Sequence, residues 1–332
     1  MLATLGSLWP CYAVPEGRWG KMRGRRSLSA AFKLPRTREK EAHTSNVLQE
    51  PPSRNKGTGS SQFRSSDKVI NLRQGASDPN VYLTTHSQTS ALEAPFHLYH
   101  ESFLTVLGTA PRLSVFAEDN SKFFAHESGI WIPSTDEIFF TSNQIIDSAG
   151  NKSISLYKLN ISSPGKVECL DSTEGGRTTM NLNGGTNHPD GGLIFCQQGN
   201  MTIPSAIIYM STTPPYKTHT VVSSYNGRAF NSINDVVVHP QDGSIWFTDP
   251  AYGNAGGWRP EPDLPPLVYA FQPRTGEIRC VADGFFRPNG ITFSPDSKKC
   301  YVTDTGAGHG DGHTFEWGTK PATMYASPIP RS

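Results

Sequence analysis

The chain has 332 residues, 36% hydrophobic and 18% charged, with a formal net charge of +1. That length suits one large domain or two small ones, and the balanced charge gives no ground for a nucleic-acid or membrane-surface partner. No apolar run approaches the ~18–20 residues of a spanning helix, and 31 Gly with 26 Pro fit a turn-rich all-β chain better than a helical one.

In chain order, the first stretch is basic. Lys21, Arg23, Arg25 and Arg26 form one cluster, and Lys33, Arg36, Arg38 and Lys40 a second. Ser, Pro, Gly and Asn fill much of the remainder to about Arg73, leaving too little apolar surface to offset the entropy of ordering. Residues 1–75 are therefore expected to be a disordered basic segment, read as a solvated tail, with an organelle transit peptide as the alternative. Met1 to Val14 lacks the basic start of a secretory signal. The folded domain is expected over 90–332. Five cysteines (Cys11, Cys169, Cys196, Cys280 and Cys300) include no C-x-x-C pair, which excludes a zinc knuckle. Sequons at Asn151, Asn160 and Asn200 would carry glycans only in an exported chain.

From His126 onward the chain repeats. Segments His126 to Phe140, Asn183 to Phe195, Asn234 to Asp249 and Asn289 to Asp304 each read as a short strand, a proline turn and a second β-rich strand. Their prolines, Pro133, Pro189, Pro240 and Pro295, are separated by 56, 51 and 55 residues. A unit near 50 residues with strand–turn–strand content predicts a β-propeller, one four-stranded blade per unit.

Six residues before those prolines stand Glu127, Asn183, Asn234 and Asn289. Inner strands of a propeller surround one axis, so equivalent positions form a ring. One carboxylate with several amide oxygens is a donor set for a hard cation such as Ca²⁺. Oxygen ligands equally serve Mg²⁺, Mn²⁺ or Zn²⁺. The competing explanation is that each Asn supports its turn; for a single Asn-Gly that explanation wins, and for four positions in one register the ring does.

The stretches Asn234 to Gly253 and Arg287-Pro288-Asn289-Gly290 resemble signatures of the senescence-marker-protein/gluconolactonase family. Asn183-Gly184-Gly185-Thr186, Phe195 to Gly199, Pro204 to Met210 and Phe230 to Asp235 look most like its fungal lactonohydrolase branch. The resemblance implies a six-bladed propeller, of which about four blades are expected here, and hydrolysis of a small-molecule lactone (an aldonolactone or a pantolactone-like ring) to the hydroxy acid. It also implies one catalytic divalent ion, usually Ca²⁺, with Glu127, Asn234 and Asn289 at the positions of its ligands. Asn183, Thr186 and Asn187 are then expected to face the substrate. The family's fifth-blade Asp, often its general base, has no counterpart before Ser332, so no catalytic base is assigned and the propeller is expected to stop before closing.

Asp235 is expected to point away from the axis by strand alternation and to be structural. Histidines beside the turns (His188, His239) are read as caps, and the His309–His313 loop matches no standard metal spacing. Ser232 and Ser294 lack a nucleophile elbow. Trp131, Trp246, Phe247 and Tyr252 are expected on strands as packing residues. The alternative to a lactone hydrolase is a non-catalytic propeller fragment, a binding module or an inactive product, because an incomplete circle leaves an open β edge.

Overall fold

The computed structural model describes residues 124–146, 152–163, 165–171, 181–309, 314–316 and 318–329, with short pieces at 12–13, 69–71, 96–98, 102–108 and 116–119. Four antiparallel meanders follow one another along the chain. Blade 1 holds β1 (Glu127–Ile132), β2 (Glu137–Thr141), β3 (Leu156–Asn160) and β4 (Val167–Cys169). Blade 2 holds β5 (Leu182–Asn187), β6 (Leu193–Gln197), β7 (Ala206–Met210) and β8 (Thr218–Val222). Blade 3 holds β9 (Val236–Val238), β10 (Ile245–Asp249), β11 (Leu267–Gln272) and β12 (Glu277–Ala282). Blade 4 holds β13 (Pro288–Phe293), β14 (Lys299–Asp304) and β15 (Thr323–Pro328), with the strand Tyr12–Ala13 pairing in parallel with β15 as its fourth member. This is a β-propeller of four blades in the order that the repeat dictates.

The proline turns join the first two strands of each blade. Each contains a residue of positive φ two or three positions after its proline: Asp136 (55°), Gly191 (94°), Gly243 (69°) and Ser297 (56°). That left-handed step lets the chain reverse sharply with the twist of the flanking strands.

Packing follows from burial of the second strand on both faces. Every residue of β6 is buried, whereas the outer strand β8 is half-buried to exposed. Apolar layers fill each gap between neighbouring blades. Ile130, Phe139, Leu193, Phe195 and Met210 join blades 1 and 2. Cys196, Ile207, Phe230, Phe247 and Tyr269 join blades 2 and 3. Val268, Ile291, Cys300 and Val302 join blades 3 and 4. A side chain such as Phe195, with no exposed surface, contributes about 1.5–3 kcal/mol by leaving water. Each blade therefore leans on the next.

Two packing expectations change. Trp131 is 47% exposed, its Nε1 donating to Asp136 Oδ1 at 3.2 Å across the turn, because alternation along β1 turns it outward from Ile130 and Ile132. Tyr252 is not on a strand. It follows the segment after β10 and opens a short helix, which is α2 (Tyr252–Ala255) once a helix at Phe103–Leu107 is counted as α1.

The chain divides into two compact units, Met1–Gly20 with Phe116–Ser332, and Lys21–Val115. Within the second, Val69–Asn71 pairs in parallel with Phe96–Leu98, and α1 presents Phe103, Leu104 and Val106 to solvent. The disordered segment expected over 1–75 lies outside the described residues, save the strands at 12–13 and 69–71. Among the described residues Cys169, Cys196, Cys280 and Cys300 are free thiols, and no helix is long and apolar enough to cross a membrane.

Candidate metal and substrate site

Three of the four positions marked by the repeat fall in or beside a shift of strand register. The pairing of β1 with β2 shifts register between Glu127 and Ile130, that of β5 with β6 between Leu182 and Gly185, and that of β13 with β14 between Pro288 and Ile291. In blade 3, Asn234 lies just before β9, where Asn234 N donates to Thr248 O at 2.9 Å. A β-bulge leaves one residue out of the ladder and re-aims its side chain. Ser128, the residue after Glu127, takes φ 58° there, an uncommon conformation for a non-glycine residue.

Hydrogen bonds tie these positions edge to edge. The hydroxyls of Ser128 and Thr141 (3.2 Å) both donate to Asn183 O. Gly184 N donates to Asn234 O at 2.8 Å. Thr248 Oγ1 donates to Asn289 O at 2.6 Å and accepts from Asp235 N at 3.1 Å. The close approach of blades 2 and 3 requires glycine at 184, since a Cβ would stand 2.5 Å from Asn234 O and 2.6 Å from Asp235 Oδ1.

Two of these side chains carry a buried oxygen without a partner. Asn183 and Asn234 are each 4% exposed, and the Oδ1 of each has no hydrogen-bond partner among the described residues. A buried polar atom left unpaired costs about 1–3 kcal/mol, and most are paired. Asn289 Nδ2 donates to Thr305 Oγ1 at 3.1 Å and reaches Tyr252 OH at 3.4 Å, which fixes the orientation of its amide. Tyr252 OH and Thr305 Oγ1 are themselves 2.6 Å apart. The negative charge of Glu127 acts on Asp235, Cys196 and Tyr252, raising each. Its Oε1 lies 3.4 Å from His126 Nε2.

Asp235 is a seam residue. Its Oδ1 accepts from Val236 N at 2.8 Å and its Oδ2 from Ile291 N in blade 4 at 2.9 Å. Burial, with the negative charge of Glu127, pushes its carboxyl up to about 7 despite those two bonds. Asp249 and Asp304 end the second strands of blades 3 and 4 and repeat one latch. Asp249 accepts from Asn231 N (2.9 Å) and Ser232 N (2.8 Å), and Asp304 from Phe286 N (2.8 Å) and Arg287 N (2.9 Å). In both blades the latched pair sits two and three residues before the ring asparagine. Asp304 is thus structural, outside the ring.

The structure places Asn183 and Asn289 inside register shifts of the inner strands, Glu127 beside one in the ladder opposite Thr141, and Asn234 just before β9, while Thr186 and Asn187 lie further along β5. Those two lie three and four residues further along β5, roughly 10–13 Å away. Asn187 Nδ2 donates to Trp131 O at 3.1 Å, a tie between blades 1 and 2 at the turn end of the strands. Proximity in sequence along an extended strand is distance in space. Tyr252 and Thr305 were missed, although both lie just past the Thr-Asp that closes a second strand, and that repeated dipeptide was legible. Among the described residues no three His, Cys, Asp or Glu side chains converge as a metal site, so a cation here would depend on amide oxygens with Glu127 as the carboxylate.

A family profile described as SMP-30/Gluconolactonase/LRE-like region matches residues 127–309. The chain is 29% identical over 256 residues to lactonohydrolase oryL of Aspergillus oryzae, covering 71% of this chain and 54% of that protein. It is 32% identical over 122 residues to a gluconolactonase of Zymomonas mobilis, covering 35% of this chain and 32% of that protein. It spans about half the length of the first relative and about a third of the second. A solved gluconolactonase of Xanthomonas campestris aligns at 23% identity and a TM-score of 0.43, over 61% of this chain and 63% of that one.

Proposed function

The chain belongs to the SMP-30/gluconolactonase/LRE-like family, and on that premise we propose that its ring of repeat positions binds a divalent cation, Ca²⁺ foremost, and hydrolyses a lactone to the hydroxy acid. The observation that carries this reading is the pair of buried amide oxygens, Asn183 Oδ1 and Asn234 Oδ1, left unpaired at one repeat position. Glu127, Asn234 and Asn289 are the proposed cation ligands, and Asn183 the residue that accepts a hydrogen bond from a substrate hydroxyl. Aldonolactones and pantolactone-like rings carry such hydroxyls beside the carbonyl.

The donor set fits a hard cation, because amide and carboxylate oxygens are its ligands. A bound divalent ion would supply Lewis acidity toward the lactone carbonyl. The chain's own residues do the rest of the positioning. Glu127 contributes one negative charge while the asparagines contribute none, so the site stays electropositive toward an oxyanion. Thr305 and Tyr252 fix the orientation of the Asn289 amide, the role that outer partners play in orienting ligands. Ser128 and Thr141 fix the Asn183 backbone, so its side chain is presented from a rigid strand rather than a loop. Hydrolysis adds water across the acyl C–O bond and opens the ring.

The test is a Ca²⁺ titration followed by melting temperature, and then hydrolysis of an aldonolactone and of a pantolactone-like ring. Ca²⁺-dependent stabilisation with turnover, both weakened more by Glu127→Gln than by Asn183→Ala, is the expected result. Equal loss of Ca²⁺ affinity in the two variants would refute the ligand assignment.

A further inference from the structure

Arg259 is a buried cation that donates to four backbone carbonyls. It is 6% exposed, and its Nε donates to Asn231 O at 2.9 Å, Nη2 to Phe230 O at 2.9 Å, and Nη1 to Asn200 O at 2.8 Å and Ile203 O at 3.1 Å. A guanidinium is a planar fork of five donors, and here it spans four carbonyls on two segments. Burying a charge is costly unless its bonds are made, so this arrangement holds the segments as firmly as they hold it. Glycine at 253 admits the stem of Arg259, since a Cβ there would collide with Arg259 Cγ.

What the fork grips is the approach to a ring asparagine. Arg259 takes the carbonyls of Phe230 and Asn231, while Asp249, fully buried, takes the N–H groups of Asn231 and Ser232. The next N–H, of Ile233, donates to the buried Ser205 Oγ at 2.9 Å. Residues 230–233 thus have their peptide groups fixed from both sides, and the residue that emerges is Asn234, whose buried Oδ1 is unpaired. Blade 4 repeats the aspartate half of this clamp with Asp304. Its latched segment carries Arg287, which donates instead to Gly308 O within its own blade. The guanidinium fork is therefore an addition made at blade 3.

We infer that Arg259 and Asp249 act as a pair of positioning residues for Asn234, clamping residues 230–232 so that the Asn234 amide oxygen is set at the cation site. This rests on the assignment of Asn234 as a cation ligand. The role differs from general support of the fold because it acts through one ligand only.

The test is a set of calorimetric Ca²⁺ titrations of the full chain, with melting temperature recorded for every variant. Arg259→Lys keeps the charge and loses the fork. It is expected to weaken Ca²⁺ binding by about tenfold or more, both alone and on an Asn289→Ala background. On an Asn234→Ala background the same substitution is expected to change affinity by less than about threefold, because the residue it acts through is gone. Asp249→Asn removes the clamp from the N–H side and follows the same pattern, which keeps the inference testable should Arg259→Lys fail to fold. Unchanged affinity in folded Arg259→Lys or Asp249→Asn, or an equal loss on both backgrounds, overturns the positioning role while leaving Asn234 a ligand. If Asn234→Ala leaves Ca²⁺ affinity intact, or the wild-type chain takes up no Ca²⁺, the ligand assignment fails and this inference falls with it.

Discussion

Gly184 and Gly290 occupy the same repeat position, each following a ring asparagine, yet the space beside them differs. A Cβ at 184 would stand 2.5 Å from Asn234 O, 2.6 Å from Asp235 Oδ1 and 2.8 Å from Asp235 Cα. Two of those atoms are backbone, so no rotamer change relieves the clash. Restoring ordinary contact of about 3.5 Å requires the inner strands of blades 2 and 3 to part by roughly 0.5–1 Å. The Gly184 N to Asn234 O bond, now 2.8 Å, would then pass beyond good hydrogen-bond geometry. Overpacking of this kind costs about 1–3 kcal/mol, and the lost bond about 1 kcal/mol more. Gly184→Ala is therefore expected to destabilise the chain by about 2–4 kcal/mol. At Gly290 the nearest atoms are side-chain oxygens, Thr303 Oγ1 at 3.3 Å and Asp235 Oδ2 at 3.8 Å, and Gly290→Ala should cost under about 1 kcal/mol. Urea unfolding reads both as a shift in midpoint at constant slope. Equal midpoints for the two variants would refute the account of how blades 2 and 3 meet.

Thr248 bridges blades by donating to Asn289 O and accepting from Asp235 N, whereas Thr303 accepts from Gly290 N within blade 4. Thr248→Val should accordingly destabilise by about 1–3 kcal/mol, and more than Thr303→Val in parallel urea titrations. The carboxyls of Asp235 and Asp249 are pushed up to about 7 by burial, from an ordinary 3.8. A raised native value means that the folded chain keeps these protons where the unfolded chain has lost them. The stability they contribute is full below about pH 4 and is lost as pH rises through about 7, on the order of 4 kcal/mol per group. In Ca²⁺-free buffer the urea midpoint should fall between pH 5 and 7.5, and Asp249→Asn should make that fall shallower; an unchanged slope would count against the burial argument. Tyr252→Phe combined with Thr305→Val frees the Asn289 amide, and Ca²⁺ affinity by calorimetry should drop about tenfold.

Much of the fold was legible before any coordinate. The spacing of Pro133, Pro189, Pro240 and Pro295 gave the blades, because a proline turn with a left-handed residue behind it is a local device written in a few residues. The column of Glu127, Asn183, Asn234 and Asn289 was legible for the same reason, but only strand pairing shows that Glu127 stays in the ladder opposite Thr141 while Asn183 and Asn289 leave it. The distance of Thr186 and Asn187 from Asn183 was less legible, because letters run along a strand while a site is built across strands. Arg259 was invisible, since its four partners are carbonyls, which every residue possesses. Strand alternation read Asp235 as structural, but its seam role, the bond to Ile291 N, needed the neighbouring blade in place.

The bulges that hold Asn183 and Asn289 carry a consequence for how such a site changes over generations. In blades 2 and 4 the asparagine stands out of the paired ladder at the same place, so the side chain there can be exchanged with little disturbance to strand pairing or to the apolar layers behind it. A single codon in each repeat thus edits the charge and donor character of the centre, while the scaffold that presents it stays constant. Duplication of one blade copies the socket along with the strand, and divergence then needs only to choose what stands in it.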